Sequence, residues 1–315
     1  MLNAVWEDAK RQYQMGDMVT RLLILNIGAF VFVNLVRVGF YLAGSIGSYD
    51  TFLEYFMVSY KWDHLLFRPW TIFTHFFLHE GFWHILWNML YLFWFGRILK
   101  EFAGNHRVLP VYLASGLAGF LAYLLAGVIW GGSTGLIGDY ALGASAAVLG
   151  IVLAIATLAP EYRLHLIFIG PIPLKYIAAV AVFLNIISIP NESNTGGIIA
   201  HLGGALMGYL FVRQMQSGND LSEPINNAVE SVTSFFKSIF NREPKGPRMA
   251  YKNKEKVKER RKSRFSRPAK GGPSSDTDSS SKQEKIDKIL DKIKASGYES
   301  LTDEEKEFLF RVSKD

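Results

Sequence analysis

The chain has 315 residues, of which 50% are hydrophobic, and its formal net charge at pH 7 is +6. The mean hydropathy of +0.14 averages two different parts, since long apolar runs dominate up to about Gln214 and polar and charged residues dominate the rest. The sequence contains no cysteine, which excludes disulfides, thiolate metal sites and a cysteine nucleophile.

The apolar runs approach the length that a bilayer requires. A helix crosses the hydrocarbon core, which is about 30 Å thick, with about 20 apolar residues. Residues 1–19 are polar and lack a signal-peptide pattern, so we expect the first run to be a retained membrane anchor. Backbone groups in lipid must be hydrogen-bonded internally, which predicts an all-α polytopic membrane protein. The predicted spans are residues 20–43, 82–100, 109–130, 141–159, 174–190 and 196–214.

The distribution of Lys and Arg predicts the orientation of these spans. One side has Lys61 and Arg68 in a long loop, and no Lys or Arg in the loops 131–140 and 191–195. The other side carries Lys10, Arg11, Arg21, Arg97, Lys100, Arg107, Arg163, Lys175 and Arg213. We therefore expect both termini in the cytoplasm, and we expect a bacterial plasma membrane.

The loop from about 44 to 81 is rich in aromatic residues. Short amphipathic pieces lying in the outer membrane interface fit this composition. An aromatic belt extended by an irregular loop is the alternative, and we favour the ordered loop.

Four polar residues inside the spans are candidates for function, because polar groups in the membrane are costly. They are His84 and Asn88 in the second span, Ser145 in the fourth and His201 in the sixth. These three spans all begin at the outer side, and all four residues lie within about 3–9 Å of those starts. Each residue alone also fits a packing role, but a shared depth favours one common site.

The spacing of small residues brings two of these spans together. Gly204 and Gly208 form a small-xxx-small face one turn below His201. The fourth span offers a matching surface of Gly143, Ala146, Ala147 and Gly150. Close packing of the two spans would bring Ser145 within hydrogen-bond reach of His201.

This set of residues fits serine-based peptide hydrolysis. Ser145 becomes a nucleophile when His201 takes its proton. Asn88, His84 and the backbone N–H of Ser145 could stabilise the oxyanion. Because no carboxylate lies at this depth, the sequence predicts a dyad.

A metal site is the competing interpretation of the histidines. The stretch HEGFWH at 79–84 nearly matches a metalloprotease helix, but its histidines are five residues apart, about 140° around a helix. His75 and His79 are four apart and lack an evident third ligand. We expect a structural role for them, and neither a metal nor a cofactor.

The motifs HILWN (84–88), GASA (143–146) and AHLGGALMG (200–208) resemble those of the rhomboid intramembrane serine proteases of the bacterial type. The resemblance covers about residues 20–215 and includes the passage 68–89 into the second span. It implies a six-helix bundle with Ser145 as nucleophile, His201 as general base, and His84, Asn88 and the Ser145 N–H in the oxyanion hole. Membrane-anchored proteins would be the substrates, cut near the outer face after a small residue and released by regulated proteolysis.

The resemblance further implies a cap at residues 191–195 and a lateral gate at the fifth helix. Two positions depart from the family pattern. Ala146 replaces a frequent glycine after the serine, and Leu149 replaces a frequent aromatic residue that packs on the histidine. We expect both to change the rate or the substrate choice.

Two other functions remain open. A rhomboid-like adaptor or chaperone would bind membrane proteins without cutting them. A transporter would show paired charges along a pathway or helices broken at the midplane, and this pattern is not evident in the sequence.

The polar tail divides into a linker, residues 216–282, and a small module, residues 283–315. The basic stretch Lys245–Lys270 could contact anionic lipid head groups or be a solvated segment, and we expect no nucleic-acid binding. The pattern of Ile286, Ile289 and Ile293, with a Thr302–Glu305 capping box, predicts a cytosolic helical hairpin at 283–313. We expect this hairpin to bind a cytosolic partner.

Overall fold

The computed structural model describes residues 2–131, 136–166, 169–190, 194–240, 289, 291–293 and 301–312. The chain divides into two compact units, Met1–Arg242 and Glu243–Asp315. The first unit holds all the predicted spans.

A helix lies at every predicted span. These helices are α2 (Met18–Leu42), α6 (Phe82–Ala103), α7 (Asn105–Ala126), α8 (Ser145–Leu158), α9 (Leu174–Ser188) and α10 (Thr195–Gln216). α7 continues as a π-helical turn, Gly127–Gly131. The predicted all-α membrane bundle is confirmed in its order and in the position of its helices.

The helices differ in how well they match a bilayer. Among the described residues, Met18–Leu42, Asn105–Gly131 and Thr195–Gln216 are long and apolar enough to cross it. α8 and α9 are apolar but shorter. α6 has 22 residues, and its apolar sequence is interrupted by His84, Asn88 and Arg97. The chain is a membrane protein in which α8 and α9 are shorter than α2, α7 and α10.

The predicted start of the fourth span is wrong by four residues. α8 begins at Ser145, because Tyr140–Ala141 pairs as strand β2 with strand β1, Val58–Ser59. Gly143 then has φ +127°, a conformation that ends the extended segment and that side chains disfavour. Ser145 is therefore the first residue of its helix.

α8 is the centre of the bundle and is apolar on all sides. Ile151, Val152, Ala154 and Ile155 are fully buried, as expected for a helix surrounded by other helices. α8 packs against α10 through small residues. A β-carbon at Gly208 would lie 2.0 Å from the carbonyl oxygen of Gly150, so the two backbones touch.

The aromatic-rich loop between α2 and α6 is ordered, as predicted. It contains α3 (Gly47–Glu54), α4 (Trp62–Phe67), α5 (Thr71–Thr74) and a 3₁₀ turn, His75–Phe77. The Trp70 indole donates to the Tyr55 carbonyl at 2.7 Å, and the Thr74 hydroxyl donates to the Phe56 carbonyl at 2.8 Å. These bonds fold the loop back onto itself.

Several elements are not predicted by the sequence patterns. A helix α1 (Leu2–Met15) occupies the polar N-terminal segment, and strands β3 (Arg163–Leu166) and β4 (Gly170–Pro173) form a hairpin between α8 and α9. A helix α11 (Ser222–Phe240) lies within the range assigned to a linker. Its apolar residues do recur at helical spacing, from Ile225 through Val229, Val232 and Phe236 to Ile239, so the assignment of a linker missed a period that the sequence contains.

The second unit contains helix α12 (Asp303–Val312). The predicted capping box is confirmed, because the Thr302 N–H donates to the Glu305 carboxylate at 2.8 Å and the Glu305 N–H donates to the Thr302 hydroxyl at 3.4 Å. Of the first predicted helix of the hairpin, the structure describes only residues 289 and 291–293. The stretch Lys245–Lys270 lies outside the described residues.

Candidate active site

The first turn of α8 presents Ser145 together with free backbone donors. The first hydrogen bond along this helix runs from the Val148 N–H to the Ala144 carbonyl at 2.9 Å. The N–H of Ser145 precedes it and belongs to the helix N-terminus, where the backbone donors favour negative charge. Ser145 itself is half-buried.

His201, on the second turn of α10, faces this serine. The distance from His201 Nε2 to Ser145 Oγ is 2.6 Å, which is a hydrogen bond. The two helices are held at this separation by glycines, since a β-carbon at Gly204 would lie 2.1 Å from the Ala146 carbonyl oxygen. The structure thus brings together two residues that are 56 positions apart in the sequence.

The other ring nitrogen of His201 has a partner that the sequence analysis missed. His201 Nδ1 lies 2.8 Å from the Oδ1 of Asn185 on α9. Asn185 Nδ2 donates to the carbonyl of Ala181, one turn earlier in the same helix, at 2.9 Å. The available signal was an asparagine within an apolar span, the same signal that identified Asn88.

His84 and Asn88, one turn apart on α6, also lie close to Ser145. A β-carbon at Gly143 would be 3.0 Å from His84 Nε2 and 3.5 Å from Ser145 Oγ, so the imidazole and the hydroxyl flank this glycine. Asn88 Nδ2 donates one hydrogen to the His84 carbonyl at 2.8 Å. The amide has a second hydrogen, which leaves one donor for a ligand.

Two cavities meet at Ser145 and His201. One, of about 490 Å³, is a cleft between α6 and α9 and includes Asn88 and Asn185. Its rim carries Trp87 and Leu184, whose exposed fractions are 55% and 52%. An extended segment could therefore reach the serine from the side of the bundle.

The second cavity, of about 320 Å³, lies on the loop side of the serine. Its lining includes Phe120, Tyr123, Leu142 and Asn194, together with Ser145 and His201. A small side chain or water fits this volume next to the hydroxyl.

His75 supports the segment that leads to Ser145. Its ring Nδ1 bonds the Thr71 carbonyl at 2.7 Å, and its own carbonyl accepts from the Gly143 N–H at 2.9 Å. The predicted structural role of His75 is consistent with these bonds. His79 is buried with its ring centroid 5.0 Å from that of His84. Among the described residues no group of three or more His, Asp or Glu could hold a metal ion.

Two parts of the chain match known families. Residues 66–216 match the Rhomboid domain, and residues 277–315 match a family of unknown function, DUF6576. The first match contains α6 to α10 and with them Ser145, His201, His84, Asn88 and Asn185. The second match assigns no activity to the C-terminal unit.

Three curated relatives illustrate the similarity. The chain is 28% identical over 211 residues to RHOMBOID-like protein 12, mitochondrial, of Arabidopsis thaliana, covering 64% of this chain and 59% of that protein. It is 32% identical over 139 residues to Rhomboid protein 1, mitochondrial, of Saccharomyces cerevisiae, covering 43% and 38%. It is 32% identical over 146 residues to the Presenilin-associated rhomboid-like protein, mitochondrial, of Homo sapiens, covering 43% and 35%.

The chain spans about a third to three fifths of the length of these relatives. The similarity covers the helices that carry the site and agrees with the family that the sequence motifs indicate. Residues 66–216 are therefore a rhomboid domain, and this domain carries the candidate site.

Proposed function

We propose that the protein is an intramembrane serine endopeptidase that cuts transmembrane segments of membrane-anchored proteins. The observation that carries the proposal is the 2.6 Å hydrogen bond between Ser145 Oγ and His201 Nε2, at the end of a cleft between two membrane helices. A packing serine needs neither a histidine partner nor a cavity.

The acylation step follows from the positions of these groups. The Ser145 hydroxyl transfers its proton to His201 Nε2 while Oγ attacks the carbonyl carbon of the scissile peptide bond. The carbonyl oxygen becomes an oxyanion. Donors for it are the N–H of Ser145, the second amide hydrogen of Asn88 and the His84 ring, which surround the hydroxyl.

Breakdown of the intermediate returns the proton. His201 donates it to the leaving amine, the C–N bond breaks, and an ester to Ser145 remains. A water molecule then loses a proton to His201 and attacks the ester, which releases the acid and regenerates the hydroxyl. The cavity of about 320 Å³ beside Ser145 provides room for that water.

The cleft between α6 and α9 supports a membrane-embedded substrate. It opens between two helices of the bundle, and exposed apolar side chains such as Trp87 and Leu184 surround its entrance. A transmembrane segment that unwinds near the level of Ser145 could enter there with its backbone extended. Helix α9 is then the element that moves. Of the cap predicted at residues 191–195, residues 191–193 lie outside the described residues, and Asn194 and Thr195 stand at the N-terminus of α10.

We place the protein in a bacterial plasma membrane with both termini in the cytoplasm, on the basis of its Lys and Arg distribution. We also propose that Lys245–Lys270 contacts anionic lipid head groups and that the C-terminal hairpin binds a cytosolic partner. The three relatives above carry the word mitochondrial in their names, so membrane fractionation of the native cell is part of the test.

The function is tested with purified protein in proteoliposomes that also contain a model transmembrane substrate. We expect cleavage by the wild type and none by Ser145→Ala or His201→Ala. A folded wild type that binds the substrate without cutting it would favour the adaptor. In that case the first positions to change would be Ala146, to glycine, and Leu149, to an aromatic residue, since these are frequent in the family.

A further inference from the structure

Asn185 links the peripheral helix α9 to the imidazole that faces Ser145. We propose that Asn185 is a positioning residue, which fixes the tautomer and the orientation of His201 and does so only while α9 is packed against α10. This inference rests on the proposed function, because it concerns the general base of that reaction.

The hydrogen bonds determine which way the amide points. A backbone carbonyl only accepts, so the atom of Asn185 that lies 2.9 Å from the Ala181 carbonyl must be the NH₂ group. The atom that faces His201 Nδ1 at 2.8 Å is then the amide oxygen, which also only accepts. His201 Nδ1 must therefore carry the proton.

The state of the other nitrogen follows. In a neutral imidazole one nitrogen carries the hydrogen and the other a lone pair. With the hydrogen on Nδ1, the lone pair is on Nε2, where it accepts the Ser145 hydroxyl proton at 2.6 Å. The opposite tautomer would present an N–H to the hydroxyl and could not act as the base.

The surroundings of His201 explain why such a residue is needed. Leu149 lies one turn after Ser145, where many family members have an aromatic side chain that packs on the histidine. A leucine contacts a ring without fixing its rotation. The Asn185 acceptor supplies a directional contact, the same role that a third group has in serine and cysteine triads.

The link also depends on the packing of α9. The buried residues of this helix are Leu174 and Ala178, both in its first half, whereas Phe183, Leu184 and Ile187 in the second half are exposed. Asn185 is carried by that exposed half. Displacement of this half to widen the cleft would remove the acceptor from His201, so the base is oriented again only when α9 returns over a bound substrate.

The test compares Asn185→Leu with Asn185→Asp, which keeps an acceptor oxygen at the same position. Asn34→Leu is the matched control, because Asn34 on α2 is also half-buried and donates to the carbonyl one turn earlier, Phe30, at 2.9 Å. Two readouts are used: kcat and KM for a transmembrane substrate, and ¹⁵N spectra of histidine-labelled protein, with the His201 signals identified by their absence from His201→Ala.

We expect Asn185→Leu to lower kcat about 10- to 100-fold with little change in KM, as part of the contribution of a positioned base is lost. Its Nδ1-protonated signal should give way to a mixture of tautomers. Asn185→Asp should recover most of the rate, and Asn34→Leu should match the wild type in both readouts. A merely structural asparagine would leave the tautomer unchanged.

Two outcomes would overturn the inference while leaving the proposed function intact. One is a wild-type rate in Asn185→Leu, and the other is a wild-type tautomer spectrum in that variant. An inactive wild type would instead overturn the proposed function, and the spectra of the wild type and of Asn185→Leu would still test the hydrogen bond.

A second feature, independent of catalysis, is the apolar face of α11. Ile225 at the start of this face packs on the bundle core, and the same face continues through Val232, Phe235, Phe236 and Ile239. These last four side chains are between 49% and 61% exposed. Glu223, Glu230 and Lys237 lie on the opposite face, so α11 is strongly amphipathic.

The position of α11 indicates what covers this face. Asp220, just before the helix, pairs with Arg107 of the first turn of α7 at 2.6 Å. Asn226 Nδ2 donates to the His106 carbonyl at 3.0 Å. α11 therefore begins at the end of the bundle where α7 starts and α10 stops, which is the level at which two membrane helices leave the bilayer.

We infer that α11 lies along the membrane surface, with its apolar face in the boundary between head groups and acyl chains. Because the chain has no cysteine, single cysteines can be introduced and spin-labelled in proteoliposomes. Labels at Val232, Phe235 and Phe236 should collide with oxygen more than with a water-soluble nickel complex, and labels at Glu230, Ser234 and Lys237 should show the reverse.

Equal nickel accessibility on both faces would overturn the lipid assignment. Strong dipolar broadening between labels on the apolar face would overturn it in favour of a second copy of the chain. A label at Gly39 on α2, whose surroundings are open, provides the reference for a lipid-exposed position.

Discussion

Gly204 on α10 and Ala146 on α8 approach so closely that a β-carbon on the glycine would lie 2.1 Å from the alanine carbonyl oxygen. Ala146 directly follows Ser145, and Gly204 lies one turn after His201. The distance between the hydroxyl and the imidazole therefore depends on a glycine that touches neither.

Replacement of this glycine should damage the site and the fold together. Gly204→Ala must push the two backbones apart, at a cost of about 1–3 kcal/mol, and should lengthen the Ser145–His201 bond beyond hydrogen-bond reach. We expect a lower melting temperature and at least a tenfold slower reaction with a serine-directed phosphonate. Gly28→Ala on α2 is the control, because its added methyl meets nothing within 4 Å. Equal behaviour of the two variants would contradict the packing account.

Substitution of Gly143 tests whether the turn before Ser145 is needed for catalysis. Its φ of +127° disfavours any side chain, and a β-carbon there would press on the His84 ring at 3.0 Å. Gly143→Ala should therefore lose most of the catalytic rate. Gly218→Ala is the matched control, since Gly218 also has positive φ, +89°, but open space around it. A similar loss of stability in both, with a rate loss in Gly143→Ala alone, is the expected pattern.

The oxyanion donors should affect kcat more than KM. Removal of one such donor typically costs about 10²–10³ in kcat. We expect Asn88→Ala and His84→Ala each to fall in that range, and the double variant to lose less than the product of the two, because both act on one oxyanion. Steady-state kinetics on a single substrate measures this, with Asn34→Ala as a control for loss of an intrahelical amide bond. A change confined to KM would assign these residues to substrate binding.

The buried imidazole of His75 should make the stability of the folded protein depend on pH. Burial lowers the pKa of His75 to about 4, against the raising effect of its hydrogen bond to Thr71. The unfolded chain takes up this proton near pH 6.5, so folded stability is complete above that pH and falls as pH drops from about 6.5 to about 4. Thermal unfolding between pH 4 and pH 8 should show a shallower fall for His75→Asn, whose amide can still donate to Thr71. The same slope in both proteins would remove His75 as its source.

The sequence predicts the helices and the Ser145–His201 pair because both depend on local signals. The length of the apolar runs locates the spans. Because polar groups are costly in lipid, the polar residues within these spans are identified as candidates for function. The glycines on α10 then indicate which helices touch. These signals do not require knowledge of the loops.

The sequence alone could not show that Asn185, rather than Asn34, belongs to the candidate site. Both are asparagines within an apolar helix, and both satisfy their NH₂ group with the carbonyl one turn earlier. Only the tertiary arrangement places one of them beside His201. Likewise, the start of α8 is set by pairing of Tyr140–Ala141 with a strand about 80 residues earlier, which no local pattern contains.

The central claim is that Ser145 is an activated nucleophile. The direct measurement is reaction of the purified protein with a fluorescent fluorophosphonate, followed by mass spectrometry of the labelled peptide, in parallel with Ser145→Ala and His201→Ala. We predict one adduct, on Ser145, in the wild type and no adduct in either variant. An unlabelled but folded wild type, or labelling that persists in Ser145→Ala, would contradict the claim.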